Sequence, residues 1–126
     1  MNDGFEITYS LNPLVNDSSL DGDGDLLTNL EEFIANTSPL NIDTDADGMD
    51  DGFEVTYSLD PIVNDSALDA DSDGLTNLEE MLLGTSPINP DSDDDGTNDG
   101  DEVSAGTDPL FNFTVVLPAI LHLILN

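Results

Sequence analysis

Asp69-Ala70-Asp71-Ser72-Asp73-Gly74-Leu75-Thr76-Asn77-Leu78-Glu79-Glu80 is the stretch whose reading decides the fold. Side-chain oxygens stand at positions 1, 3, 5, 9 and 12 of a twelve-residue phrase, with a glycine at position 6. A hard cation that takes six to eight oxygen ligands needs this arrangement: alternating carboxylates on a sharply turning loop, a backbone carbonyl at position 7 and a bidentate Glu at position 12. Here Asp69, Asp71, Asp73, the Leu75 carbonyl, Asn77 and Glu80 fill those places. Two oxygens from Glu80 raise the ligand count to about seven, which suits Ca2+ better than Mg2+, an ion that demands a strict octahedron and keeps its waters.

The frame returns along the chain. Asp43, Asp45, Asp47, Met49, Asp51 and Glu54 repeat it with Gly48 at position 6, and Asp91, Asp93, Asp95, Thr97, Asp99 and Glu102 repeat it with Gly96. A fourth copy, Asp21, Asp23, Asp25, Leu27, Asn29 and Glu32, has Leu26 where the glycine belongs. That leucine must enter a backbone region that glycine reaches freely, so this loop is expected to bind less tightly or with distorted geometry. About four Ca2+ sites are expected.

The 126 residues include no Lys, no Arg and 29 acidic side chains, a net charge of -29. No internal salt bridge with a basic side chain can offset that charge, so compactness calls for bound cations, and folding should be coupled to metal binding. A solvated acidic tail is the alternative reading of such a composition. The near-fourfold return of one ligand spacing argues against it. Binding to nucleic acid through phosphate neutralisation is disfavoured. With no cysteine, disulfides cannot hold the chain. Loops of this type with low affinity suit the millimolar calcium outside cells, which points to an extracellular or cell-surface location.

Residues Met1 to Glu54 are echoed by Met49 to Glu102, a period of 48, and the loop starts are 22, 26 and 22 residues apart. Repeats of this size imply stacked modules in place of one large core. Each loop should lead into a helix of about two turns. Position 16 is Asn36, Ser58, Gly84 or Gly106, suited to a helix C-terminal turn, and Pro39, Pro61, Pro87 and Pro109 follow. Leu30, Phe33 and Ile34, like Leu78, Met81 and Leu82, have the spacing of one apolar helical face. Phe53 to Leu59 alternates as a strand would, but its place after the loop favours helix. The loops are not paired EF-hands, because the segments before them are too polar, short or proline-broken for an entering helix.

With Asp69 to Glu80, Gly84 to Asp91 and Asp51-Gly52-Phe53-Glu54-Val55 leading into Leu59-Asp60-Pro61, the chain resembles the bacterial thrombospondin type 3 repeat over residues 1 to about 110. The resemblance implies an irregular, calcium-organised repeat ribbon with short helices and low regular secondary structure, used as an extracellular spacer or stalk. Leu26, and Asp101 where Phe5 and Phe53 stand in sister repeats, depart from the pattern.

The ends differ from the array. Met1 aligns with Met49, so the first loop is incomplete, retaining Asp3 and Glu6, and a start further upstream is expected. Residues 111–126 carry no charged side chain, taking His122 as neutral, and are read as an apolar C-terminal interaction segment, a strand or short helix. An apolar run of about ten residues broken by Pro118 is too short for a membrane span, which takes about twenty. A sorting tail and a segment folded back on its own repeats are the other readings. Self-assembly into a homo-oligomer or filament is the preferred expectation, with His122 buried or at an interface. Sequons at Asn16, Asn36, Asn64 and Asn112 are possible glycan sites.

The expected function is a non-enzymatic extracellular structural protein, either a calcium-rigidified stalk or a fibre subunit joined through its C-terminal segment. A dockerin-like or adhesin-type binding module and a monomeric spacer of a larger surface protein are the alternatives. An enzyme would need an acid and base pair, but most plausible carboxylate pairs are assigned to metal, and no Lys, Arg, Cys or recognisable Ser/His constellation is present to bind or activate a substrate.

Overall fold

The computed structural model describes residues 1–112, and the structural statements below concern those residues. Five helices follow one another: α1 (Asp3–Thr8), α2 (Asn29–Ala35), α3 (Asp51–Tyr57), α4 (Asn77–Leu83) and α5 (Asp99–Ala105). There is no strand among the described residues, so low regular secondary structure is realised as the resemblance implied. Phe53 to Tyr57, where alternation left a strand open, is helical. Phe53 and Tyr57 lie one turn apart with ring centroids 4.8 Å from each other. The expected strand or short helix of the C-terminal segment falls almost wholly on residues outside the described part. Phe111 and Asn112, its first two residues, belong to neither element.

Contacts divide the chain into Met1–Ser66 and Ala67–Asn126, a boundary inside the repeat array. The first unit holds α1 to α3 and the loops starting at Asp21 and Asp43. Its aromatic cluster joins α1 to α2, with Phe5 edge-on to Phe33 at 5.2 Å and tilted against Tyr9 at 4.8 Å. The second unit holds α4, α5 and the loops starting at Asp69 and Asp91.

Two kinds of helix start alternate. In α2 and α4 a threonine caps the helix, and a reciprocal box pairs Thr28 with Glu31 and Thr76 with Glu79. These boxes satisfy backbone donors that the first turn leaves unpaired. In α3 and α5 the cap residues Asp50 and Asn98 make no side-chain cap bond, and Asp51 and Asp99 open the helix fully buried. All four of these helices end on the residue anticipated from sequence, with left-handed φ of 63° at Asn36, 60° at Ser58, 82° at Gly84 and 77° at Gly106. The next amide then returns to the carbonyl of the position-12 glutamate, as from Thr37 to Glu32 at 3.1 Å and from Leu59 to Glu54 at 2.8 Å. The backbone of that glutamate thus closes the helix while its side chain stays available to the loop.

Apolar packing is sparse. The buried hydrophobic side chains are Leu27, Met49 and Leu75, each at position 7 of its loop. The rest of the interior is polar: Glu32, Glu54, Glu80, Asp51, Asp99, Thr37 and Thr85, with Pro39 and Pro87 packed beside them. Thr97, the position-7 residue of the last loop, is exposed.

Leu26 does what its place demands, with φ of 82° where the sister loops have glycine at 98° to 104°. It is 86 % exposed, so its side chain contributes little packing in return. Leu26→Gly is expected to stabilise the calcium-loaded protein by about 0.5–1 kcal/mol, the left-handed strain of leucine less the greater chain entropy of glycine. Thermal unfolding at saturating calcium checks this, and an unchanged or lower Tm would contradict it.

Candidate metal centres

Each loop is folded by its own aspartates. The position-1 carboxylate accepts from the amide at position 6, at 3.2 Å for Leu26 to Asp21, 3.0 Å for Gly48 to Asp43, 3.1 Å for Gly74 to Asp69 and 2.8 Å for Gly96 to Asp91. The position-5 carboxylate accepts from the amide at position 7, at 2.7 to 3.0 Å in all four loops. A backbone bond from position 9 to the residue before the loop closes each ring, from Asn29 to Leu20, Asp51 to Ile42, Asn77 to Leu68 and Asp99 to Pro90. Carboxylates separated by single residues are thereby turned toward one point.

What gathers at that point has acceptors and no donors. Both carboxylate oxygens of Glu32, Glu54 and Glu80 are buried, and no donor among the described residues reaches them. The same holds for one oxygen each of Asp23, Asp45, Asp71 and Asp93, and for the amide oxygen of Asn29. A buried carboxylate without a partner costs several kcal/mol, and buried polar atoms in folded proteins are nearly always satisfied. A cation supplies what these oxygens lack. Glu102 differs, since one of its oxygens lies 3.4 Å from the Thr107 hydroxyl.

The carboxylates also perturb one another. Burial, reinforced by Asp23 and Asp25, pushes Glu32 up to about 8. Burial raises Glu54 to about 8 beside Asp47 and Asp45, and Glu80 to about 8 beside Asp71 and Asp73. Glu102, Asp25, Asp45, Asp51, Asp71 and Asp93 are raised as well, with burial the leading cause. The exposed neighbours of two of these glutamates move the other way. The Thr28 hydroxyl and amide lower Glu31, and the Thr76 amide and hydroxyl lower Glu79.

Asp21, Asp23 and Asp25 bring one oxygen each to within 4.8 Å of one another, as do Asp43, Asp45 and Asp47, and Asp69, Asp71 and Asp73. Two further groupings reach beyond a single loop. Asp51, placed by the sequence at position 9 of the loop starting at Asp43, also joins Asp25 and Glu32 of the loop before. Thr44 holds it there, donating its amide at 2.8 Å and its hydroxyl at 2.6 Å. In the second unit Ser92 donates its amide to Asp99 at 2.9 Å, and Asp99 is among the charges that raise Asp71 and Glu80.

The other grouping is Asp47, Glu54 and Asp65. Sequence reasoning missed Asp65, which lies outside every twelve-residue frame. The signal was present: the longer interval between loops carries it, and Asp17 stands one period of 48 earlier. The amides of Asp65 and Ser66 donate to Asp47 at 3.0 and 2.9 Å, fixing the segment on the loop. Asp17 lines a cleft with Asp3 and Glu6. One period after Asp65 the sequence has Phe113, so the loop starting at Asp91 has no carboxylate at that place.

Backbone contact locks these junctions. Gly52 donates to Asp25 at 3.1 Å and Gly100 to Asp73 at 2.8 Å. A Cβ added at Gly52 would lie 1.9 Å from the Asp25 carbonyl oxygen, and at Gly100 2.3 Å from that of Asp73. Gly52→Ala is expected to destabilise the loaded protein by about 2–3 kcal/mol, because backbone must move to admit the methyl group. Chemical denaturation in calcium tests this, and a loss below about 0.5 kcal/mol would show that the junction is loose.

Residues 69–90 and 91–110 each match the Bacterial TSP3 repeat family. The two matches are consecutive and cover a third of the chain. The match takes in both loops of the second unit, and the first unit carries the same loop geometry one period earlier. No curated protein and no solved structure matches the chain. TSP3 repeats are a calcium-binding structural module, typically extracellular, and the acidic clusters are of a kind that holds such ions. No helix among the described residues is long and apolar enough to cross a membrane.

Proposed function

We propose that the chain is a non-enzymatic extracellular structural protein whose TSP3-type loops are stiffened by calcium, acting as a stalk or as a fibre subunit joined through residues 111–126. The observation that carries this reading is the set of buried glutamates, Glu32, Glu54 and Glu80, with both carboxylate oxygens unpartnered. These would close the ion shells of the loops starting at Asp21, Asp43 and Asp69, with Asp23, Asp45 and Asp71 turned to the same points. Asp51 and Asp65 would add oxygens from the following segment to the ion sites of the loops starting at Asp21 and Asp43. Within a unit, filling one loop would thereby steady the junction to the next, which is how a module with so little apolar core becomes stiff. The loop starting at Asp91 is the least equipped, given exposed Thr97, the Thr107 contact of Glu102 and Phe113 in place of an aspartate.

Sedimentation velocity of the full chain across a calcium titration tests the proposal. Compaction followed by association supports it. Compaction without association reduces the function to a monomeric spacer, and the absence of both overturns it.

A further inference from the structure

We infer that residues 113–126 of one copy seat in an apolar groove on the first unit of another copy, between α2 and the end of α3. The inference rests on the self-assembly reading above and names the surface that receives the segment.

Ile34, Ala35, Val55, Leu59 and Pro61 line this groove, with a volume of about 330 Å³ and a single charged residue, Glu31, at its edge. The Glu31 carboxylate is already held by the Thr28 amide and hydroxyl at 2.8 and 2.7 Å. Ile34 is 71 % exposed, and Ile62 and Val63 beyond Pro61 are also exposed. Short helices that expose isoleucine and valine side by side leave apolar surface that burial against a partner would remove from water.

Charge selects the occupant. The described part of the chain carries all 29 acidic residues and has no acid-free run longer than ten residues, so any fourteen-residue segment taken from it would bring carboxylates against a surface of like sign. Residues 113–126 bring none, and supply Val115, Val116, Leu117, Ile120, Leu121, Leu123, Ile124 and Leu125. The segment leaves the repeat array from the second unit. The described chain ends at Asn112, tied to the Asp93 carbonyl at 2.7 Å in the second unit. The matching groove there, lined by Leu75, Glu79, Leu82, Leu83 and Val103, is smaller at about 270 Å³. One period after Leu59 the sequence places Thr107, so an apolar wall of the first groove is replaced by a hydroxyl. A C-terminal segment seated on the N-terminal unit of the next copy is a head-to-tail contact, which propagates as a filament unless its rotation closes a ring.

The test is sedimentation equilibrium of full-length chains in saturating calcium, comparing the unmodified protein with Ile34→Asp, Leu82→Asp and Leu121→Asp. Ile34 and Leu82 are exposed equivalents in the two grooves, and calcium stoichiometry of each variant reports that its loops remain formed. The expected result is association weakened at least about tenfold by Ile34→Asp and by Leu121→Asp, and changed less than about twofold by Leu82→Asp. Association that survives Ile34→Asp, or falls equally with Leu82→Asp, overturns this docking surface while leaving self-assembly standing. Unmodified protein that stays monomeric overturns self-assembly and the docking surface with it.

Discussion

Chelating calcium is expected to abolish the cooperative fold, with loss of the helical circular dichroism signal, expansion in solution and collapse of amide-exchange protection at Thr37, Leu59 and Thr85. The reason lies in what is buried. Among the described residues only Leu27, Met49 and Leu75 represent the large apolar residues in the interior, while seven carboxylates, those of Asp25, Glu32, Asp51, Glu54, Glu80, Asp99 and Glu102, are at most 4 % exposed. Like charges a few ångströms apart repel by about 1 kcal/mol per pair in water and by several times that when partly desolvated. Without an ion the loops push apart, and the helices are too short to persist alone. Retention of the transition in excess chelator would show that hydrophobic contacts suffice.

Glu79 and Glu80 are adjacent, yet their replacements should fail in different ways. Glu80→Gln removes a buried carboxylate with neither oxygen satisfied. It is expected to weaken calcium at the loop starting at Asp69 by about 100-fold, since losing a direct ligand should cost at least the upper end of what second-shell losses cost. Glu79→Gln perturbs the capping box, where the carboxylate accepts from the Thr76 amide at 2.9 Å and hydroxyl at 2.8 Å. Because Gln also serves at this position of the box, it should cost no more than about 0.5 kcal/mol of stability, with calcium affinity nearly unchanged. Calorimetric calcium titration and thermal unfolding of both variants separate the effects, and equal losses of affinity would contradict these roles.

Much of the local architecture was legible. The twelve-residue frame located every helix after a loop, because its position-12 glutamate must lie in the helix leaving the loop. Asn36, Ser58, Gly84 and Gly106 marked the helix ends because left-handed backbone favours glycine and asparagine. The strand-like alternation from Phe53 to Leu59 misled for a physical reason: Phe53 and Tyr57 are as compatible with one helical turn as with alternation. Cross-loop carboxylates were not legible from a single frame. Asp51 serves its own loop by sequence and faces Asp25 and Glu32 in space, while Asp65 belongs to no frame. Gly52 could have signalled the first junction, since a glycine at the second position of a helix is costly unless another backbone approaches it.

The most direct test is calcium binding by the full chain at pH 7.5 and at pH 5.5, measured by equilibrium titration with the protons released recorded alongside. Glu32, Glu54 and Glu80 rise to about 8 in the ion-free fold, above the ordinary value of 4.5. Lowering pH from about 8 toward 4.5 therefore favours the ion-free fold over the unfolded chain, and opposes calcium, which requires the ionised carboxylates. The account predicts about four ions per chain with Kd near 10⁻⁴–10⁻³ M at the higher pH. It also predicts weaker affinity at the lower pH, with protons released by whatever part of the ion-free chain is folded before calcium binds. Binding absent at millimolar calcium, or of equal strength at both pH values, would contradict the claim that these buried carboxylates hold the ions.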